Sequence, residues 1–319
     1  MMQKKSRIVL ALGGNALQAD PKDTRAESQL VTAKETAVAI VDLIEEGHEV
    51  IIAHGNGPQV GQIIATYEAA AQTNPGIPVM PFPECGAMSQ GYIGYHLQQG
   101  IREEMKNRGL DKNVATIVTQ VVVDKNDPGF ENPTKPVGSF FNEEEAKILM
   151  DKKGYTIKED SGRGWRRVVA SPEPLDVVEA PIIKTLVEAG HIVITVGGGG
   201  IPVIKEDMGA LKGVPAVIDK DFASEKIAEI LEADYLIILT AVEKVSIYFN
   251  TPEQKELDTM TIGEAKQYIE EGHFAPGSML PKVKAAIKFV ESKAGRKALI
   301  TSLEKAKEGI QGKTGTILQ

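Results

Sequence analysis

Apolar residues recur along this chain in two rhythms. Unbroken runs such as Ile8-Val9-Leu10-Ala11-Leu12, Val50-Ile51-Ile52-Ala53 and Ile192-Val193-Ile194-Thr195-Val196 have the length and branching of strands buried on both faces. Between them, apolar residues fall three and four positions apart. Leu30, Ala33, Ala37, Ile40, Val41 and Ile44 mark one face of a helix over 27–46, and Gly47 supplies its stop. The same reading predicts strands over 7–12, 49–53, 115–123, 191–196, 235–239 and 298–301. It predicts helices from about Val60, and over 87–107, 143–153, 177–189, 223–231 and 279–293. Strand and helix in alternation imply an α/β fold with a mainly parallel sheet covered on both faces.

That rhythm breaks over 124–174. Polar turns dominate there, among them Asn132-Pro133-Thr134-Lys135-Pro136 and Gly162-Arg163-Gly164-Trp165-Arg166-Arg167. The segment reads as an insertion or lid. Length alone suggests about two domains for a chain of this size.

Composition narrows the function. Hydrophobic residues make up 42% and charged residues 25%, ordinary for a globular protein. Aromatics are only 5% against 31 glycines, which suits aliphatic strands joined by tight turns. The net charge of −8 argues against a general surface for nucleic acid or an anionic membrane. The one cysteine, Cys85, excludes an intrachain disulfide and fits a reducing, cytoplasmic setting. Lys4, Lys5 and Arg7 precede an apolar run as in a leader peptide, but Gly13-Gly14-Asn15 ends that run too early. No stretch approaches the ~20 apolar residues of a membrane span.

Candidate chemistry gathers at strand ends. Gly13-Gly14-Asn15, His54-Gly55-Asn56-Gly57-Pro58 and Gly197 to Gly200 each follow an apolar run, and Gly277-Ser278 opens a helix. Glycine lets backbone amides approach a ligand closely, and a helix start points its positive end there. Such turns suit phosphate groups. Lysines near them would add mobile charge: Lys135 between Pro133 and Pro136, Lys220 beside Asp221, and Lys282 in a first helical turn with Ser278 as N-cap and Pro281. A cation at that helix end is unfavourable by about 0.3–1 kcal/mol, and a bound anion would reverse that sign. Thr240-Ala241-Val242 ends the strand over 235–239 and would form a nucleotide wall, with Tyr248 near it.

Familiar nucleotide motifs fail. Gly312-Lys313-Thr314 resembles the end of a P-loop, but Lys307 stands where its first glycine belongs. After Gly55-Asn56-Gly57 the next glycine, Gly61, comes one position late for the dinucleotide fingerprint. Protein-kinase signatures are absent. The histidines at 48, 54, 96, 191 and 273 show no zinc-ligand spacing with Cys85, so no protein-held metal site is expected.

Taken in order, seven segments resemble the carbamate kinases of the amino acid kinase family. They are Ala11 to Leu17, His54 to Gly61, Cys85 to Gly91, Asn132 to Gly138, Gly198 to Pro202, Val217 to Asp221 and Gly277 to Val283. The resemblance spans essentially the whole chain. It implies a single domain over 1–319, a three-layer αβα sandwich with a small protruding subdomain over 124–174, and a homodimer. It implies reversible, Mg²⁺-dependent phosphoryl transfer between ATP and carbamate, run toward ATP from carbamoyl phosphate in arginine breakdown. Gly13, Gly14, Asn15, Gly55, Asn56, Gly57, Gly198 and Gly199 are expected around the substrate and its phosphoryl group. Lys135, Lys220 and Lys282 would neutralise charge, Asp221 would orient them, and Thr240, Ala241, Val242, Tyr248 and Met279 would face the nucleotide. Related acyl-substrate kinases carry a lysine just before the first glycine pair; here Ala11-Leu12 stands there and Lys135 matches its substitute. Another acyl-phosphate-forming kinase, or a sensor that binds without turnover, are the competing readings.

Overall fold

The computed structural model describes residues 5–20, 22–160, 162 and 164–319. Lys4 and Arg163, both drawn on above, lie outside the described residues. The chain begins with β1 (Arg7–Leu12), α1 (Ala26–Glu45), β2 (Glu49–His54), α2 (Gly57–Thr73), α3 (Phe82–Asn107), β3 (Val114–Thr116) and β4 (Gln120–Val122). Next come β5 (Lys135–Phe141), α4 (Glu143–Lys153), β6 (Ile157–Glu159), β7 (Trp165–Val169) and β8 (Asp176–Val177). Then follow α5 (Ala180–Glu188), β9 (Ile192–Ile194), β10 (Ile201–Lys205), β11 (Leu211–Gly213), α6 (Lys220–Ile230) and β12 (Tyr235–Thr240). The chain closes with β13 (Val245–Ile247), β14 (Lys255–Leu257), β15 (Thr259–Met260), α7 (Ile262–Glu270), α8 (Met279–Glu291), β16 (Lys297–Ser302), α9 (Ala306–Ile310) and β17 (Thr316–Leu318).

An eight-stranded sheet in the order β15-β17-β16-β12-β1-β2-β9-β3 forms the middle layer. All its pairings are parallel except β16 with β17. The continuous apolar runs follow directly from this position. Side chains alternate across a strand, so Val9 and Ala11 join the core under α5, α6 and α8. Ile8, Leu10 and Leu12 join the core under α1 and α3. Both faces are covered, and each fully buried Leu or Ile contributes about 1.5–3 kcal/mol. The expected αβα layering is observed. Gly47 stops α1 in the left-handed region, at φ 90°.

Two sequence expectations are corrected. The run over 115–123 is not one strand: β3 closes one edge of the large sheet, and β4 belongs to a second sheet ordered β11-β10-β4-β8. Gln90 of α3 explains the break. Its side-chain amide accepts the Thr119 N–H at 2.8 Å and donates to the Thr119 carbonyl at 3.1 Å. The Ile201 N–H of β10 shares that carbonyl at 2.9 Å, so Thr119 is held by a side chain and by the second sheet, and the chain changes sheets. The helix read over 177–189 starts late, because Asp176–Val177 pair with β4 and Pro181 opens α5. Within 124–174, β5, β7 and β6 form their own antiparallel sheet, with α4 ended by a capping box at Asn142 and by Gly154.

Candidate active site

The carboxyl ends of β1, β12 and β16 open onto a cavity of about 380 Å³. Gly13, Gly14 and Asn15 form one wall, Lys220 and Lys282 another, and Ser302 and Glu304 a third. Thr240, Ala241 and Ser278 line this cavity and also a second one of about 460 Å³. Val242, Tyr248, Met279, Phe249 and His273 surround the second cavity. Tyr248 and His273 meet edge to face, with centroids 4.3 Å apart. The result is one cleft with a small polar end and a larger, more apolar end.

Charge at the polar end is organised around α6. Asp219 caps that helix, its Oδ1 accepting the Asp221 N–H at 2.9 Å. Its Oδ2 accepts from Lys135 Nζ at 2.6 Å, which ties the first residue of β5 to the start of α6. Asp221 is buried and accepts from Lys282 Nζ at 2.9 Å. Lys220 Nζ lies 3.2 Å from the other Asp221 oxygen but is not aligned as a hydrogen-bond donor to any group. A buried ammonium with unused protons points to an acceptor that a ligand would bring. Burial would push the Asp221 carboxyl up, but the Lys220 and Lys282 ammoniums outweigh it and hold the group at about 2. Burial lowers the Lys220 pKa, against the pull of Asp221. Three ammoniums face two carboxylates here, so the cluster carries one net positive charge.

A carboxylate of the chain itself, Asp221, reaches Lys282 in the first turn of α8 and already offsets its charge there. Ser278 does occupy the N-cap position, but its side chain makes no capping bond. This corrects the sequence expectation, since Ser278 has φ −138° and ψ −83°, away from the extended capping geometry.

The remaining glycines act mainly through close approach. The Gly55 N–H is committed to the Leu12 carbonyl at 3.2 Å, and a Cβ there would lie 3.4 Å from the Lys220 stem. Gly57 is the first residue of α2. Asn56 is buried and donates to Ser89 Oγ at 2.8 Å. Added Cβ atoms on Gly197, Gly198, Gly199 and Gly200 would meet His54 Nε2 at 2.4 Å, Asn56 Nδ2 at 2.1 Å, the Ile218 carbonyl at 2.1 Å and Val121 Cγ2 at 2.2 Å. Gly198 and Gly199 thus brace the Asn56 turn against the segment leading into α6. Neither is among the residues lining the two cavities.

Sequence reasoning gave no role to Asp219, His54 or Glu304. The capping position before Lys220 was a readable signal for Asp219. Burial drives the His54 pKa down to about 4, so the ring is neutral and its Nδ1–H donates to the Gly55 carbonyl at 2.8 Å. Among the described residues no cluster of three or more side chains could hold a metal ion. No helix among them is long and apolar enough to cross a membrane.

A second buried acid sits one turn along α6. Glu225 is fully buried with neither oxygen hydrogen-bonded, and Lys288 Nζ is 3.8 Å away. Burial pushes its carboxyl up to about 7. A raised folded-state value means stability that is full below about pH 4.5 and is lost as pH rises toward 7. Glu225→Gln should remove that dependence. Its melting temperature is expected to exceed the wild type's at pH 8, with the two converging at pH 4.5; parallel curves would contradict the assignment.

Comparison with known proteins agrees with this geometry. The amino acid kinase family model matches residues 6–302. The chain is 62% identical to a carbamate kinase of Clostridium perfringens, over 97% of this chain and 98% of that protein. It is 60% identical to the carbamate kinase-like protein YqeA of Escherichia coli, over 99% of each. Among solved structures, the carbamate kinase of Giardia lamblia bound to AMP-PNP superimposes with a TM-score of 0.90 at 42% identity, covering 98% of each chain.

Proposed function

Since this chain belongs to the amino acid kinase family, we propose that it is a phosphotransferase that moves a phosphoryl group reversibly between ATP and carbamate. The observation that carries this reading is the Asp221 clamp, which holds Lys282 at 2.9 Å and Lys220 at 3.2 Å beside the point where the two cavities join. The larger cavity takes the adenine nucleotide between Thr240-Ala241-Val242, Tyr248 and Met279. The smaller takes carbamoyl phosphate or carbamate against Gly13, Gly14 and Asn15, with the Gly55-Asn56-Gly57 turn behind. Gly198 and Gly199 hold that turn in place.

Carbamate is already an anion at neutral pH, so no general base is needed. The remaining tasks are alignment and charge neutralisation. Lys220 has unused donors to offer a phosphoryl oxygen, and Lys282 adds charge from α8. Lys135 exchanges its Asp219 partner for the acceptor side of the substrate as the subdomain over 124–174 closes as a lid on the single domain. Mg²⁺ fits as a companion of the nucleotide phosphates rather than as a resident ion. Glu304 is the carboxylate lining the cavity that could reach its hydration shell. Bound there, the ion would neutralise nucleotide phosphate charge. Cytoplasmic location, a homodimer and ATP formation from arginine breakdown complete the proposal.

Incubation with ADP, Mg²⁺ and carbamoyl phosphate should yield ATP. ATP formation only with a larger acyl phosphate would favour a different acceptor, and nucleotide binding without turnover would favour a sensor. In the same assay Lys135→Ala should lower kcat/KM for carbamoyl phosphate roughly 10-fold or more, with the KM for ADP little changed. Unchanged kcat/KM would remove Lys135 from the site.

A further inference from the structure

We propose that Glu68, on α2 and outside both cavities of the cleft, is a positioning residue that sets where Lys135 sits over the acceptor. The proposal rests on the functional reading above. The Glu68 carboxylate gathers three groups from the subdomain over 124–174. The Tyr155 hydroxyl donates to it, Arg167 Nη1 donates at 3.1 Å, and Lys153 Nζ lies at 3.4 Å. The cluster is partly buried, with side-chain exposures of 18% for Glu68, 21% for Arg167 and 29% for Lys153, so solvent weakens it less than an ordinary surface pair. Arg167 also stacks on the Tyr155 ring at 3.7 Å and on Phe82 of α3 at 4.7 Å. Burial, and then the bond to Glu68, push the Tyr155 hydroxyl up to about 12, so it stays a donor.

This polar clasp matters because the seam around it is poorly filled. A cavity of about 240 Å³, walled by Ile64, Val137, Phe141 and Leu149, separates α2 from the subdomain. α2 packs directly on β5 beside this cavity, so the clasp adds to that contact where the seam is open. Close contact occurs at Gly61, where an added Cβ would lie 3.0 Å from Gly138 Cα. The subdomain rests on α2 at that backbone contact and is held by Glu68 beyond it.

The path from the clasp to Lys135 is short. In the β5–β7 ladder Arg167 pairs with Val137, and Val169 pairs with Lys135. Two ladder steps, roughly 7 Å of strand, separate them. A strand pair of that length moves as one piece, so loosening Glu68 tilts Lys135 away from Asp219 and from the substrate.

The test uses the full-length protein. Wild-type ATP formation from carbamoyl phosphate decides the functional reading by itself. Glu68→Gln should lower kcat/KM for carbamoyl phosphate roughly 5- to 20-fold while the KM for ADP stays within about 2-fold. The same substitution in a Lys135→Ala background should have no further effect, because the group it positions is gone. Gly61→Ala, which forces β5 outward at the other contact, should show the same split and the same silence. Amides of β5 and β7 should exchange faster in Glu68→Gln, a readout independent of activity. Additive losses in the double variant, or a rise in the KM for ADP equal to the acceptor effect, would overturn the proposal. Should Glu68→Gln fold poorly, Tyr155→Phe removes one donor only and must give a smaller effect of the same kind; no effect there counts against it.

Discussion

Lys282→Ala is expected to lower kcat by on the order of 10²-fold or more while the protein stays folded. The geometry separates the two effects. Lys282 stands in the first turn of α8, where alanine is a better helix former and a cation opposes the helix dipole. Removing it leaves Asp221 still paired with Lys220 at 3.2 Å, so no buried carboxylate is stranded. What disappears is one ammonium at the junction of the two cavities. Under the proposed function, phosphoryl transfer would spread negative charge over oxygens held there, and each fixed cation lost would be felt in the transition state. The measurement is kcat in the ATP-forming direction beside the melting temperature. A kcat near the wild type's would exclude Lys282 from the chemistry. Arginine should not restore it, because its bulkier, delocalised guanidinium cannot place a compact charge where Lys282 Nζ sits 2.9 Å from Asp221 Oδ2.

Asp221→Asn should damage both activity and stability. Here a buried charge is stranded, since the Lys220 ammonium is buried at the end of a half-buried side chain and Asp221 is its ion-pair partner. Breaking such a pair costs about 3–5 kcal/mol. The Lys220 ammonium then sheds its proton more readily, and kcat should fall roughly 10²-fold. A supplied anion should repair part of the loss. Inorganic phosphate or ADP is expected to raise the variant's melting temperature by more than it raises the wild type's, because the ligand's charge replaces the carboxylate. Equal shifts in the two proteins would mean that Asp221 does not govern the charge of this cavity.

Much of the architecture was legible because both-face burial writes itself as continuous aliphatic runs. β1, β2 and β12 are readable for that reason, and Gly47 marks a helix end through backbone conformation alone. The split of 115–123 was not readable, since it depends on Gln90, a side chain 29 residues earlier in the chain, taking the Thr119 N–H and sharing its carbonyl with Ile201 of β10. α7 was overlooked although Thr261 and Glu264 form a capping box with ordinary sequence spacing. In the site, residue types and local turns were visible, and their ordered segments supplied the expected roles. Asp221 was expected to orient lysines, and it holds Lys220 and Lys282, but Lys135 pairs with Asp219 instead. Lys282 reaches Asp221 across 61 residues and Lys135 reaches Asp219 across 84, distances at which local pattern carries no information. These contacts emerge only when the fold brings the starts of α6, α8 and β5 together.

The four-glycine bend after β9 has a consequence for the gene. A one-base change in a glycine codon either leaves glycine, stops translation or installs a side chain, and each added carbon there lands within 2.4 Å of His54, Asn56, Ile218 or Val121. Saturation mutagenesis should therefore leave a four-codon gap of missing survivors at 197–200, while the codon for an exposed position such as Gly91, where an added Cβ meets nothing within 4 Å, drifts more freely.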